Sequence, residues 1–135
     1  MTNFEAKQKN TLALAHLGDA VYEMSVREYI LLRCDGPADK LHRLTVAVVC
    51  ADAQAKALGV ITPLLTDDEQ ALIRRGRNAK TTAPKSTTHK NYSFATALET
   101  LFGYLYVTRQ LERLDELFEV IAKGQIDAVM KAEFV

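Results

Sequence analysis

The chain has 135 residues, and 17 lysines and arginines balance 17 aspartates and glutamates, so its formal net charge at pH 7 is zero. That length fits one domain, and 48% apolar with 25% charged residues is the balance of a globular protein with a proper core. No apolar run approaches the roughly 18 residues that span a bilayer, the opening MTNFEAKQKN lacks a signal-peptide core, and Cys34 and Cys50 have no metal-ligand spacing. A membrane protein, a secreted disulfide scaffold and a multidomain enzyme are excluded on these grounds, and a reduced, cytoplasmic protein is expected.

Helical periodicity predicts helices over about 11–34, 38–58, 67–76, 92–109, 111–123 and 125–133, an all-α bundle. In the first, Leu14, Leu17, Val21, Met24 and Leu31 form one apolar stripe. Leu12, Asp19, Glu23, Val26 and Ile30 form another, in which two carboxylates interrupt an otherwise hydrophobic row. A helix apolar on several faces belongs at the centre of a fold, where an ionised carboxylate is costly unless a cation or good donors satisfy it. The run Thr45–Val49 is β-branched, yet its flanks favour one continuous helix through to residue 58. Pro37, Pro63 and Pro84 fall between periodic segments, and Gly36, Gly59, Gly76 and Gly124 lie near segment ends. Thr66-Asp67-Asp68-Glu69 has the pattern of a capping box. Residues 77–91 read as one long polar loop, a length that in a compact domain is usually functional or disordered.

The helix at 92–109 repeats the anomaly of the first. Phe94, Leu98, Leu101 and Leu105 make its core stripe, while Glu99 shares a row with Ala95, Phe102 and Tyr106. Each of these two helices also carries an interior glycine, Gly18 beside Asp19 and Gly103 four residues after Glu99. An interior glycine costs about 1 kcal/mol against alanine, so a packing reason is expected. A close crossing of the two helices at the glycines would bring Asp19 and Glu99 together, and a divalent cation is the natural third party for two repelling carboxylates. Magnesium suits such a site, with hard oxygen ligands, few of them from protein. The plainer alternative is that Asp19, Glu23 and Glu99 pair with arginines, Arg27 among them.

Charge balance over the chain hides an asymmetry. No acid occurs between Glu69 and Glu99, a stretch that holds Arg74, Arg75, Arg77, Lys80, Lys85 and Lys90. A local basic block is what a polyanion-binding surface needs, and a merely solvated basic loop is its bland alternative.

The segment Leu17-Gly18-Asp19-Ala20-Val21 resembles the LGDAV core of the signature helix of the ribonuclease III family. The segment Ala97-Leu98-Glu99-Thr100-Leu101-Phe102-Gly103-Tyr104-Leu105-Tyr106 resembles that family's other metal-binding helix, of the form FEAxxGAxY. Both motifs centre on the carboxylate and glycine anomalies. Together with the short length, GDAVYE, VREY and RRGRNAK, they make the chain resemble the Mini-III ribonucleases from about residue 10 to 123.

That resemblance implies one ribonuclease III-like catalytic domain over residues 1–135, all-α, homodimeric and without a double-stranded RNA-binding domain. It also implies magnesium-dependent hydrolysis of double-stranded RNA, 23S ribosomal RNA precursor being the usual substrate and a ribosomal protein a further candidate partner. Asp19 and Glu99 fall on the family's metal-ligand positions, and the expected products are a 5′ phosphate and a 3′ hydroxyl. Full-length ribonuclease III also uses acids where this chain has Leu12, Ala15 and Thr96, so the number of metals stays open. Glu23 either orients a water of the metal's shell or pairs with Arg27, and His16 either lies beside the site or packs.

The basic residues Arg74, Arg75, Arg77, Lys80, Lys85 and Lys90, interleaved with Ser86, Thr87 and Thr88, are expected to contact phosphates and hydroxyls of an A-form duplex, which is read mainly by shape. Tyr92 either packs at the loop base, the favoured reading, or touches a ribose. Leu12, Val26, Tyr29, Ile30 and Leu32 are candidates to continue the core into a partner copy. The competing functional reading is a catalytically inert, ribosome-associated or RNA-binding module of the same fold.

Overall fold

In the computed structural model, which describes residues 1–134, every regular element is a helix. They are α1 (Asn3–Lys7), α2 (Thr11–Arg33), α3 (Ala38–Val49), α4 (Ala51–Ile61), α5 (Asp67–Asn78), α6 (His89–Val107), α7 (Leu111–Ile121) and α8 (Asp127–Phe134). A 3-10 turn follows α4 and a π-helical turn, Ala122–Ile126, joins α7 to α8. No single helix among the described residues is long and apolar enough to cross a membrane.

The most buried helix is α6, against which α2, α4 and α5 all pack. It buries Ala97, Leu98, Leu101, Phe102 and Leu105 completely. Tyr22 of α2 sets its ring edge-on to Phe102 (5.2 Å between centroids) and Phe118 of α7 (5.9 Å), tying three helices at one aromatic node. The capping box at Thr66 forms as expected, and Glu69 does more than cap: it is 8% exposed on its side chain and held by Arg113 of α7 through two hydrogen bonds of 2.8 and 2.9 Å.

Several boundaries differ from expectation. The helix expected over 38–58 is two helices, bent by 59° at Cys50, whose extended backbone (ψ 159°) breaks the ladder. No proline or glycine marks this bend. It lets α4 lie on α6 and α7 while α3 lies on α2. The loop expected over 77–91 spans only 79–88, because α5 runs on to Asn78 and Thr88 caps α6 by accepting from the Asn91 amide (3.1 Å). Gly124 does not stop a helix; the π-turn carries the chain straight from α7 into α8. The short α1 was not expected, though Thr2 and Glu5 form a full capping box there. Of the residues expected to face a partner copy, Val26, Tyr29 and Ile30 are buried in their own chain, because α3, α7 and α8 cover that side of α2. Leu12 and Leu32 stay exposed, and so do Met24 and Leu31.

Candidate active site

The crossing of α2 and α6 decides what the site is. A methyl carbon on Gly18 would lie 1.6 Å from the Glu99 carbonyl oxygen, and one on Gly103 would lie 2.0 Å from the Leu14 carbonyl oxygen. Each glycine therefore lets the other helix's backbone come where a side chain would stand. The approach delivers the carboxyl groups of Asp19 and Glu99 within hydrogen-bonding reach of each other, across 80 residues of sequence.

The two acids are not equally placed. Glu99 is partly buried, and burial first, then the neighbouring Asp19, pushes its carboxyl up to about 8. The Gln54 amide acts the other way and favours the charged form. Asp19 is exposed, contrary to the expectation of two buried acids, because its side of α2 opens onto a cavity and not onto packed side chains.

That cavity holds about 560 Å³ and has four walls. Leu12, Ala15, His16 and Asp19 come from α2, and Tyr92, Ala95, Thr96 and Glu99 from α6. Val49, Cys50, Ala51, Asp52 and Gln54 come from the α3–α4 bend, and Thr81, Pro84, Ser86 and Thr87 from the loop 79–88. The loop is latched: Asp52 accepts hydrogen bonds from the Thr87 hydroxyl and from Asn91 Nδ2 (3.0 Å), which holds its carboxyl below the usual range. Tyr92, at the base of the loop, is half-buried and lines the cavity from α6.

The other expected residues separate. His16 is exposed on the cavity wall. Glu23 does not line the cavity; it pairs with Arg27 one turn on (3.0 Å), the arrangement of the plainer alternative. Arg75 is also withdrawn from the expected RNA surface. Its guanidinium donates to the carbonyls of Lys7 (3.2 Å) and Lys9 (3.1 Å) and to the Thr11 hydroxyl (3.0 Å), clamping the α1–α2 turn to α5. Arg74, Arg77, Lys80, Lys85 and Lys90 are exposed on α5, the loop and the start of α6. Arg77 lies over the Phe94 ring (4.7 Å), with Lys90 farther out over the same ring (5.9 Å).

Asp52 and Gln54 escaped the sequence reading. For Gln54 a signal existed: it shares a helix row with Ala57, Leu58 and Ile61, a lone polar residue among apolar ones, the same irregularity that singled out Asp19 and Glu99. For Asp52 there was none, since an acid in the first turn of a helix is ordinary.

Asp19 and Glu99 suit a magnesium ion by their chemistry: two hard, like-charged oxygen donors whose repulsion and burial already hinder the ionisation of one of them. Among the described residues no group of three or more His, Cys, Asp or Glu comes together, so a magnesium ion here would have few protein ligands and would complete its shell with water or phosphate.

Residues 12–110 match the model of the ribonuclease III domain family. Among curated relatives, the chain is 40% identical over 122 residues to the Mini-ribonuclease 3 of Clostridium tetani, covering 89% of this chain and 81% of that one. It is 47% identical over 112 residues to the Mini-ribonuclease 3 of Symbiobacterium thermophilum, covering 82% and 86%. A crystal structure of a protein from Fusobacterium nucleatum superposes with a TM-score of 0.81 at 29% identity, covering 93% of this chain and 99% of that one.

Proposed function

The chain belongs to the Mini-ribonuclease 3 group of the ribonuclease III family, and from that premise we propose that it is a magnesium-dependent endonuclease cutting both strands of double-stranded RNA. The observation that carries this reading is the Asp19–Glu99 pair on the wall of a cavity whose rim is a basic loop. Asp19 and Glu99 would hold the magnesium, which would supply Lewis-acid activation of an attacking water and neutralisation of charge on the phosphate, and the products would be a 5′ phosphate and a 3′ hydroxyl.

The chain's own residues do the rest. Asp19 and Glu99 hold the ion, and the Gly18–Gly103 contact fixes the distance between them. Lys80 and Lys85 stand on the loop that borders the cavity, and Arg74, Arg77 and Lys90 extend the positive surface to either side. These groups bind phosphates of an A-form duplex without reading bases. The Asp52 latch holds the loop against α4, so its lysines are presented at a set place.

Antiparallel strands are related by a twofold axis, so cutting both calls for two such sites in a C2 dimer. A groove lined by Leu17, Ala20, Met24, Tyr106 and Leu111 supports this, since it leaves large apolar side chains in water on the monomer. The precursor of 23S ribosomal RNA as substrate, a cytoplasmic location and assistance by a ribosomal protein are part of the same reading, supported by kinship and not by geometry.

The test is cleavage of a long RNA duplex in magnesium and in EDTA. Wild-type protein should cut only with magnesium. Asp19→Asn and Glu99→Gln should each lose about a hundredfold or more of that activity while keeping their helical circular dichroism. Cleavage that survives EDTA, or near wild-type turnover in either variant, would refute the metal site. Duplex binding without any cleavage would favour an inert RNA-binding module.

A further inference from the structure

The bend between α3 and α4 brings a third side chain to the Asp19–Glu99 pair. Gln54 is 3% exposed, borders the same cavity, and its amide interacts with the Glu99 carboxyl. Its Nε2 donates to the Val49 carbonyl (2.9 Å) at the end of α3. That bond fixes the orientation of the amide, because the reversed amide would set two carbonyl oxygens against each other. Oε1 is therefore the atom left over, and it is buried with no hydrogen-bond partner.

Native folds leave few such oxygens, and each calls for an explanation. The neighbours do not supply the missing partner. Once a cation holds both carboxyls ionised, neither Asp19 nor Glu99 has a proton to give. The Thr81 hydroxyl on the same cavity is itself without a partner, so it is not bonded to Gln54. The Thr96 hydroxyl is committed to the Tyr92 carbonyl (3.0 Å), and Asp52 to Thr87 and Asn91. Gln54 thus turns an N–H toward the Glu99 carboxyl and keeps, on the same amide, a buried oxygen without a partner.

We propose that Gln54 Oε1 is the third protein oxygen donor to the divalent cation held by Asp19 and Glu99. The inference rests on the metal-dependent reading above and adds a ligand to it. An amide oxygen is a hard, neutral donor, suited to a cation that already has two anionic ligands. It also accounts for a glutamine buried in a row of Ala57, Leu58 and Ile61, where an apolar residue would pack without leaving an unpartnered atom. Ala15 and Thr96, one turn before the pair on α2 and α6 along the cavity wall, bring no carboxylate, so an oxygen from α4 adds to a set of only two acids.

The experiment is manganese binding to the full RNA-free chain, read as free Mn²⁺ by electron paramagnetic resonance, for wild type, Gln54→Met, Gln54→Glu and Asp19→Asn. Gln54→Met should weaken binding about tenfold or more, and Gln54→Glu, which keeps the oxygen and adds a charge, should tighten it severalfold. Melts in EDTA check folding, and if the methionine variant does not fold, the glutamate variant decides alone. Wild-type affinity, within about twofold, in the folded position-54 variants alongside lost binding in Asp19→Asn would overturn the proposal and leave the Asp19–Glu99 reading standing; a buried water would then satisfy Oε1. No saturable Mn²⁺ binding by wild type, with or without duplex RNA, would overturn both.

Discussion

Replacing Gly18 by alanine puts a methyl carbon 1.6 Å from the Glu99 carbonyl oxygen, 2.5 Å from its carbon and 2.8 Å from the Gly103 nitrogen. All three atoms are backbone, so no rotamer change relieves the clash. To restore an ordinary contact, α2 and α6 must part by about 1.5 Å, a gap large enough to forfeit roughly half of the dispersion along their seam. Overpacking costs typically about 1–3 kcal/mol where side chains can yield, and more here, while alanine returns about 1 kcal/mol of helix propensity. The net loss is about 3 kcal/mol, or roughly 10 °C in Tm for a domain of this size. Gly59, in α4, is the control: a methyl group there meets nothing within 4 Å, so Gly59→Ala should gain about 0.5–1 kcal/mol from propensity alone. Melts of the three proteins in EDTA should therefore order them Gly59→Ala, wild type, Gly18→Ala. The same separation draws Glu99 away from Asp19, so RNA cleavage should fall in Gly18→Ala well below its Tm. A Gly18→Ala protein melting within about 2 °C of wild type would refute the reasoning, since the overpacking cost would then be missing.

Glu99 is raised from 4.5 to about 8 in the fold, so between these values the native state binds more protons than the unfolded chain and metal-free stability falls as pH rises. Glu99→Gln should flatten that decline and gain about 2 kcal/mol at pH 8, with roughly half the shift discounted for water in the cavity; an equal fall in urea-derived stability from pH 5 to pH 8 in both proteins would contradict this. Arg77→Ala or Lys85→Ala should weaken binding to all duplex sequences alike and lower the salt slope by about one unit, whereas Arg75→Ala should leave the slope alone and lower Tm. A change in cleavage position at constant affinity would show base readout instead. Sedimentation at micromolar concentration should report twice the 15.0 kDa chain mass, and Met24→Lys should reduce it to one. A monomer that still cuts both strands would exclude the dimer.

Periodicity and composition were enough to establish an all-α fold and the extent of α2, because helix formation there depends on a local 3.6-residue pattern that the chain displays openly. The same pattern exposed Asp19 and Glu99 as carboxylates in apolar rows, and Gly18 and Gly103 hinted at the crossing that joins them. Tertiary structure decided what local pattern does not encode. Nothing in the residues around Cys50 marks a 59° bend, which arises because α4 gains burial by lying on α6, and with it come Gln54 and Asp52. Nor does the basic block reveal that Arg75 serves the fold while Arg74 and Arg77 face solvent: charge is a property of composition, but what a guanidinium reaches depends on which distant carbonyls are brought beside it. Glu23 and Asp19, one turn apart on one helix, differ for that reason too, since only Asp19 has α6 and an open cavity next to it.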